Sequence, residues 1–211
     1  TYVVSDTLSP TVTSVTTSAT GTKKVNDTIL VTIAFSKPIK TIGSPSLLLE
    51  TGLIDTSATC APITATSWTL ACTYTVVAGN ESSHLDYQST SALTGTIQDS
   101  AGNAATLTLP ALSSSGLYAA NVVVDTKAPT VTSVTTTTTT TVARTVGDTI
   151  PITVTFSEPV TTTGSPPTLV LETGSTDTTV VCSSLPTAST TLLCTYTVVA
   201  GNESSHLDYQ S

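Results

Sequence analysis

Residues 73–89 read TYTVVAGNESSHLDYQS, and residues 195–211 read TYTVVAGNESSHLDYQS again. These seventeen identical residues make the chain two copies of one unit. The stretch carries its own structural signal. Tyr74 and Val76 alternate with threonines as on one face of a strand, Ala78-Gly79-Asn80 is a turn, and Leu85-Asp86-Tyr87 resumes extended structure.

Working outward, Pro10-Thr11-Val12-Thr13-Ser14-Val15 aligns with Pro129-Thr130-Val131-Thr132-Ser133-Val134, and Phe35-Ser36-Lys37-Pro38 with Phe156-Ser157-Glu158-Pro159. The offset grows from 119 residues at Pro10/Pro129 to 121 at Phe35/Phe156 and 122 at Thr73/Thr195. The extra residues fall after Val134 and around Gly164-Ser165-Pro166-Pro167, where surface loops absorb them at little entropic cost. A period of about 120 residues is a whole domain rather than one turn of a solenoid. Val3-Val4-Ser5-Asp6-Thr7 matches Val123-Val124-Asp125-Thr126 at the end of the first copy. Residues 1–8 therefore read as the tail of a preceding repeat or a linker, 9–125 as the first repeat and 126–211 as the second. Nothing in the second copy corresponds to residues 90–124, and the frame points to a piece of a longer array.

The composition predicts an all-β fold. About a quarter of the residues are threonine, methionine is absent and 9% are charged, so β-branched side chains dominate over helix formers. Ile29, Val31, Ile33 and Phe35 alternate with Leu30, Thr32 and Ala34, as do Ile150, Ile152, Val154 and Phe156 in the second copy. Pro151, which cannot donate to a ladder, places its end of that strand at an edge or beyond the pairing. Leu47 and Leu49 (Leu169 and Leu171) mark a short strand ending at a Glu-Thr-Gly turn. Trp68, Leu70, Cys72, Tyr74 and Val76 share one face of a long strand, predicted to be core. With strands at 93–97, 105–109 and 121–124, the count is seven or eight per unit, a β-sandwich.

Cys60 and Cys72, and likewise Cys182 and Cys194, lie twelve residues apart at equivalent places. Structural zinc sites use cysteines two to four residues apart, whereas this spacing suits two neighbouring strands bridged within each copy. Disulfides that persist place the chain outside the cytosol.

The formal charge of −8 and six scattered basic residues leave no positive surface for phosphate, so no nucleic-acid partner is expected. No apolar run is long enough to insert directly into a membrane. His84 and His206 read as exposed structural histidines, since a triad duplicated in a repeat lacks a rationale. No catalytic residue is assigned.

The motifs together resemble the bacterial immunoglobulin-like tandem repeats of large surface proteins and adhesins. They are Asp-Thr-x-x-Pro-Thr-Val-Thr-Ser-Val at each domain start, Phe-Ser-x-Pro, Leu-x-Leu-Glu-Thr-Gly and Asp99-Ser100-Ala101-Gly102-Asn103. The resemblance spans the chain and implies tandem immunoglobulin-like sandwiches that extend or present a contact site, with neighbouring repeats, other copies or a surface ligand as partners. Leu-Asp-Tyr at 85–87 and 207–209 is similar to the tyrosine corner of such folds, or is a plain inward tyrosine. Some related arrays hold calcium at their joints. The candidate ligands for Ca2+ here are Asp6, Asp99, Asn103 and Asp125, although Asp-x-Ala-Gly-Asn is equally a turn.

The sequons at Asn26, Asn80 and Asn202 permit N-glycosylation, and Thr135 to Thr141 permit O-glycosylation. Three functions compete. The first is a structural and adhesive surface repeat. The second is a self-assembling filament whose missing strands come from a neighbour. The third is a spacer or carbohydrate-binding part of a secreted enzyme, for which 4% aromatic residues is poor provision.

Overall fold

A computed structural model of the chain describes residues 5–114, 116–138 and 143–210. Val3 and Val4, Thr139 to Thr141 of the threonine run and the terminal Ser211 lie outside the described residues. The chain divides into two compact units, Thr1–Lys127 and Ala128–Ser211. Both are β-structures of several sheets, and among the described residues one four-residue helix interrupts them.

Unit 1 contains β1 (Val12–Thr17), β2 (Thr22–Lys23), β3 (Thr28–Glu50), β4 (Thr56–Cys60), β5 (Ser67–Thr75), β6 (Asp86–Tyr87), β7 (Leu93–Gln98), the helix α1 (Gly116–Ala119) and β8 (Val123–Val124). The two runs expected as separate strands, 29–35 and 47–49, are the ends of one bent strand, β3. Its first part pairs with β1 and with β5, and its later part with β4, β7 and β6. Irregularities between Ala34 and Ile39 and between Ile42 and Ser46 bend it from one pairing set to the other. Ile29, Val31, Ile33 and Phe35 are buried and Leu30 is exposed, as the period-two pattern requires.

Two strand expectations need correction. Trp68 is 59% exposed, while Leu70, Cys72, Tyr74 and Val76 are buried. The register explains it: Thr69 lies opposite Ala34 but Ser67 lies opposite Ile39, so the bulge breaks the alternation just where Trp68 stands. Residues 105–109 form no strand. They are held by an isolated bridge of Thr106 to Thr11 and by Ala105 N donating to Ile97 O and Leu109 N to Thr90 O, both at 2.8 Å, with Ala104 bridging Gln98 just before.

At the second irregularity of β3, Gly95 of β7 adopts φ +120°, and a Cβ there would stand 2.8 Å from Pro45 Cα. Both the dihedral and the approach exclude a side chain. Gly95→Ala is expected to destabilise unit 1 by about 2 kcal/mol, read from the denaturant midpoint at unchanged slope. An unchanged midpoint would show that the β3–β7 contact yields freely.

Unit 2 contains β9 (Val131–Thr136), β10 (Thr149–Val160), β11 (Thr168–Glu172), β12 (Thr178–Val181), β13 (Ser189–Thr197) and β14 (Asp208–Tyr209). They form two three-stranded sheets, β13-β10-β9 and β12-β11-β14, whose apolar residues meet in one core. β10 and β11 together match β3, but residues 161–167 between them make no strand. Pro151 faces Thr195 of β13, and pairing on that side continues to Thr149. On the β9 side the pairing stops one residue short of Pro151, at Ile152. The edge expectation therefore holds for one neighbour of the proline and not for the other.

Candidate functional site

The cysteines pair as their spacing predicts. Cys60 is bonded to Cys72 and Cys182 to Cys194, and no described cysteine is free. Each pair sits directly opposite across adjacent antiparallel backbone, Cys60 on Cys72 and Cys182 on Cys194. In unit 2 this position has a further effect. Cys194 belongs to β13 and Cys182 follows β12, so the bond joins the two sheets covalently.

Two residues beyond the second cysteine of each pair, Tyr74 and Tyr196 lead into a polar anchor. Asn80 is 2% exposed, and its Oδ1 accepts from the Tyr74 hydroxyl at 2.8 Å and from Val77 N at 3.2 Å. Its Nδ2 donates to Thr56 Oγ1 at 3.0 Å and to Thr51 Oγ1 at 3.3 Å. In unit 2 the Tyr196 hydroxyl donates to Asn202 Oδ1 at 2.7 Å, and Asn202 Nδ2 donates to Thr173 Oγ1 at 3.2 Å. Burial pushes the Tyr74 hydroxyl up to about 12 and raises that of Tyr196 as well. The turn Ala-Gly-Asn and the turn Glu-Thr-Gly are thus two halves of one network. Sequence reading missed it by treating each as punctuation, although Thr51, Tyr74 and Asn80 recur together in the second copy as Thr173, Tyr196 and Asn202.

Two of the glycosylation candidates lie in this network. A glycan on Asn80 is incompatible with the packing, because the nitrogen that would carry it is buried and donates to two threonines. Asn202 is half-buried with the same nitrogen engaged. Asn26 differs: it is exposed at φ 73°, on a tight turn before β3.

Three of the four expected calcium ligands do come together, and Lys37 lies at their centre. Its Nζ donates to Asp6 Oδ2 at 2.7 Å, to Asp99 Oδ2 at 2.8 Å and to the Leu8 carbonyl at 2.5 Å. Asn103 caps the cluster through Nδ2, donating to Asp99 Oδ2 at 2.9 Å and to Asp6 O at 3.0 Å. The ammonium already supplies the positive charge, so these residues do not fit a divalent ion as a cage. Among the described residues no group of three or more His, Cys, Asp or Glu is arranged to hold a metal. Asp125 is engaged elsewhere: its Oδ1 accepts Lys127 N at 3.0 Å and its N donates to Lys23 O at 2.9 Å. The cluster also ties residues 5–8, read above as the tail of a preceding repeat, onto unit 1. Its counterpart motif in unit 2 carries Glu158 where Lys37 stands.

Asp99 is 2% exposed, and the ammonium of Lys37, followed by Asn103, holds its carboxyl far below the ordinary carboxylate range. Asp6 is lowered by Lys37 and by Leu8 N, and Lys37 is raised by Asp6 and then Asp99. Depressed carboxylates contribute stability that is complete above their unfolded value near 4 and is lost as pH falls through the folded one. The raised ammonium keeps its share throughout neutral pH and loses it only in strong alkali. Unit 1 is therefore expected to melt at a lower temperature at pH 3 than at pH 7. Lys37→Met is expected to lower the pH 7 midpoint by about 5 °C or more and to flatten the acid dependence. A variant that keeps the same acid slope would remove the cluster from the account.

His84 is exposed and stacks on Tyr118 with ring centroids 5.0 Å apart, and His206 is exposed. Tyr87 faces inward, and its hydroxyl donates to Pro110 O at 2.7 Å. A tyrosine corner reaches a few residues upstream, whereas this bond secures a connection downstream. Its copy Tyr209 is 47% exposed. No family model, curated protein or solved structure matches the chain.

Proposed function

We propose that the chain is a non-catalytic, extracellular structural and adhesive repeat of a microbial surface protein, built from tandem immunoglobulin-like units. The observation that carries this reading is the duplicated, disulfide-pinned β-unit, with the same Tyr-Asn-Thr anchor in each copy. Cross-strand disulfides suit durability outside the cell, where thiols stay oxidised. Among the described residues no helix is long and apolar enough to cross a membrane. Leu53 and Ile54 at the tip of the β3–β4 turn are both exposed, Leu53 fully, and are the contact point favoured for a surface ligand. Their counterparts in unit 2 are the polar Ser175 and Thr176, which supports placing this contact on unit 1.

The test is where the protein resides and in which redox state. Antibody raised against the chain is expected to label intact source cells, and the recovered protein is expected to carry no free thiol. Labelling only after cell breakage, with titratable thiols, would overturn the reading.

A further inference from the structure

In unit 1, the strands β1, β4 and β5 and the first part of β3, residues 28–35, contain no charged residue and no histidine. The six basic and fourteen acidic residues of the chain all lie elsewhere. Alternate positions of these strands fill the core, so the remaining positions make an outward face of one chemical kind. Across β3 and β5 its pairs are Thr28 with Thr75, Leu30 with Thr73 and Thr32 with Ala71, each residue exposed or half-buried. A sheet face in water ordinarily carries charged side chains that keep copies of a chain apart. This one presents methyl and hydroxyl groups instead.

Two large apolar side chains accompany the threonines. Leu30 is 50% exposed in the middle of β3's uncharged stretch, and Trp68 is 59% exposed next to Thr69 on β5. In unit 2 the threonines recur, Thr149 opposite Thr197 and Thr195 opposite Pro151. The apolar pair does not recur, since Pro151 and Thr190 stand where unit 1 has Leu30 and Trp68.

We infer that this face of unit 1 is an interaction surface for the same face of a second copy of the chain. Charge selects the occupant first. Two copies at −8 repel each other, and the repulsion is least where both present uncharged strands. An anionic or cationic partner finds no opposite charge here and would lose its hydration without compensation. Hydroxyl chemistry selects next. A threonine both donates and accepts, so a threonine face is complementary to itself, as a two-fold contact that joins one patch to its own copy requires. Leu30 and Trp68 then supply the apolar centre, in keeping with protein interfaces that exclude charge and concentrate tryptophan. The inference rests on strand composition and exposure in unit 1, involves neither Leu53 nor Ile54, and is independent of the surface-repeat reading.

Sedimentation equilibrium of the full 211-residue chain tests it. A monomer–dimer equilibrium is expected with Kd on the order of 10–100 μM, little changed by added salt. Trp68 is the chain's one tryptophan, so its emission reports the face directly and is expected to move to shorter wavelength over the same concentration range. Thr73→Lys sets a like charge on both copies opposite Leu30 and is expected to weaken the dimer at least about 10-fold, with a melting midpoint within about 2 °C of wild type. Trp68→Ser, outside the paired rows, is the second variant should Thr73→Lys disturb the fold, and the same loss of about 10-fold or more is expected. A chain that stays monomeric up to about 1 mM overturns the inference, as does a dimer that leaves Trp68 emission unmoved or keeps its Kd in both variants. A monomer that co-sediments with insoluble cellulose through Trp68 would assign the face to a glycan and overturns it equally.

Discussion

Asn80→Ala is expected to destabilise unit 1 by about 3 kcal/mol and to lower its melting midpoint by about 10 °C. The side chain is the acceptor for the buried Tyr74 hydroxyl and for Val77 N, and the donor to Thr56 and Thr51. Alanine removes all of these at once and opens no path for water, because Tyr74, Thr51 and Asn80 are each nearly fully buried. A buried donor left without its acceptor costs about 1–3 kcal/mol, more than the net gain of a bond that is made. Tyr74→Phe removes one partner and leaves Asn80 Oδ1 with Val77 N, so a loss of about 1 kcal/mol is expected there. Asn202→Ala sits between these cases, since Asn202 is only half-buried and water can reach its partners. Guanidinium titration of the three variants checks the order. Equal, small losses in all three would show that the anchor is ornamental.

The second large effect is expected in unit 2. Replacing Cys182 and Cys194 together with alanine is expected to unfold unit 2 near 37 °C, whereas the same change at Cys60 and Cys72 leaves unit 1 folded with a lower midpoint. Loop-closure entropy assigns each bond a similar contribution, about 3 kcal/mol for a loop of this length. What differs is the structure that remains. In unit 1, β3 runs continuously from the strands around β1 and β5 to those around β4 and β7, so the sheet persists without the bond. In unit 2 the two three-stranded sheets share no strand, and Cys182–Cys194 is their covalent link. The core there is also less closed: Val134, Phe156, Leu169 and Leu207 are only partly buried. Circular dichroism with one melting transition per unit reads the result. A unit 2 transition that survives within about 3 °C of wild type would show that the sheets hold each other by packing alone.

Local features were legible wherever neighbouring residues decide them. The alternation of Ile29, Val31, Ile33 and Phe35 reports one buried face, and the twelve-residue cysteine spacing reports a cross-strand bond. Trp68 was illegible because its facing depends on a bulge whose origin is the partner strand, around Ser36-Lys37-Pro38. The lysine of that bulge was overlooked for a related reason. Sequence puts Asp6, Lys37, Asp99 and Asn103 far apart, and acidic residues drawn together by loops look like ligands until the cation already among them is seen.

The chain's own repeat separates the two levels of control. From Thr73 to Gln88 and from Thr195 to Gln210, identical residues form the same strand end, the same glycine turn and the same tyrosine-to-asparagine bond, because each depends on contacts within a few residues or on a neighbour present in both copies. Burial does not follow. Tyr87 lies in a closed core because side chains far along the chain, among them Leu93, Leu109 and Leu117, pack into the same core. Strand, turn and disulfide were determined by sequence alone, and which face of each unit meets solvent was decided by the tertiary structure.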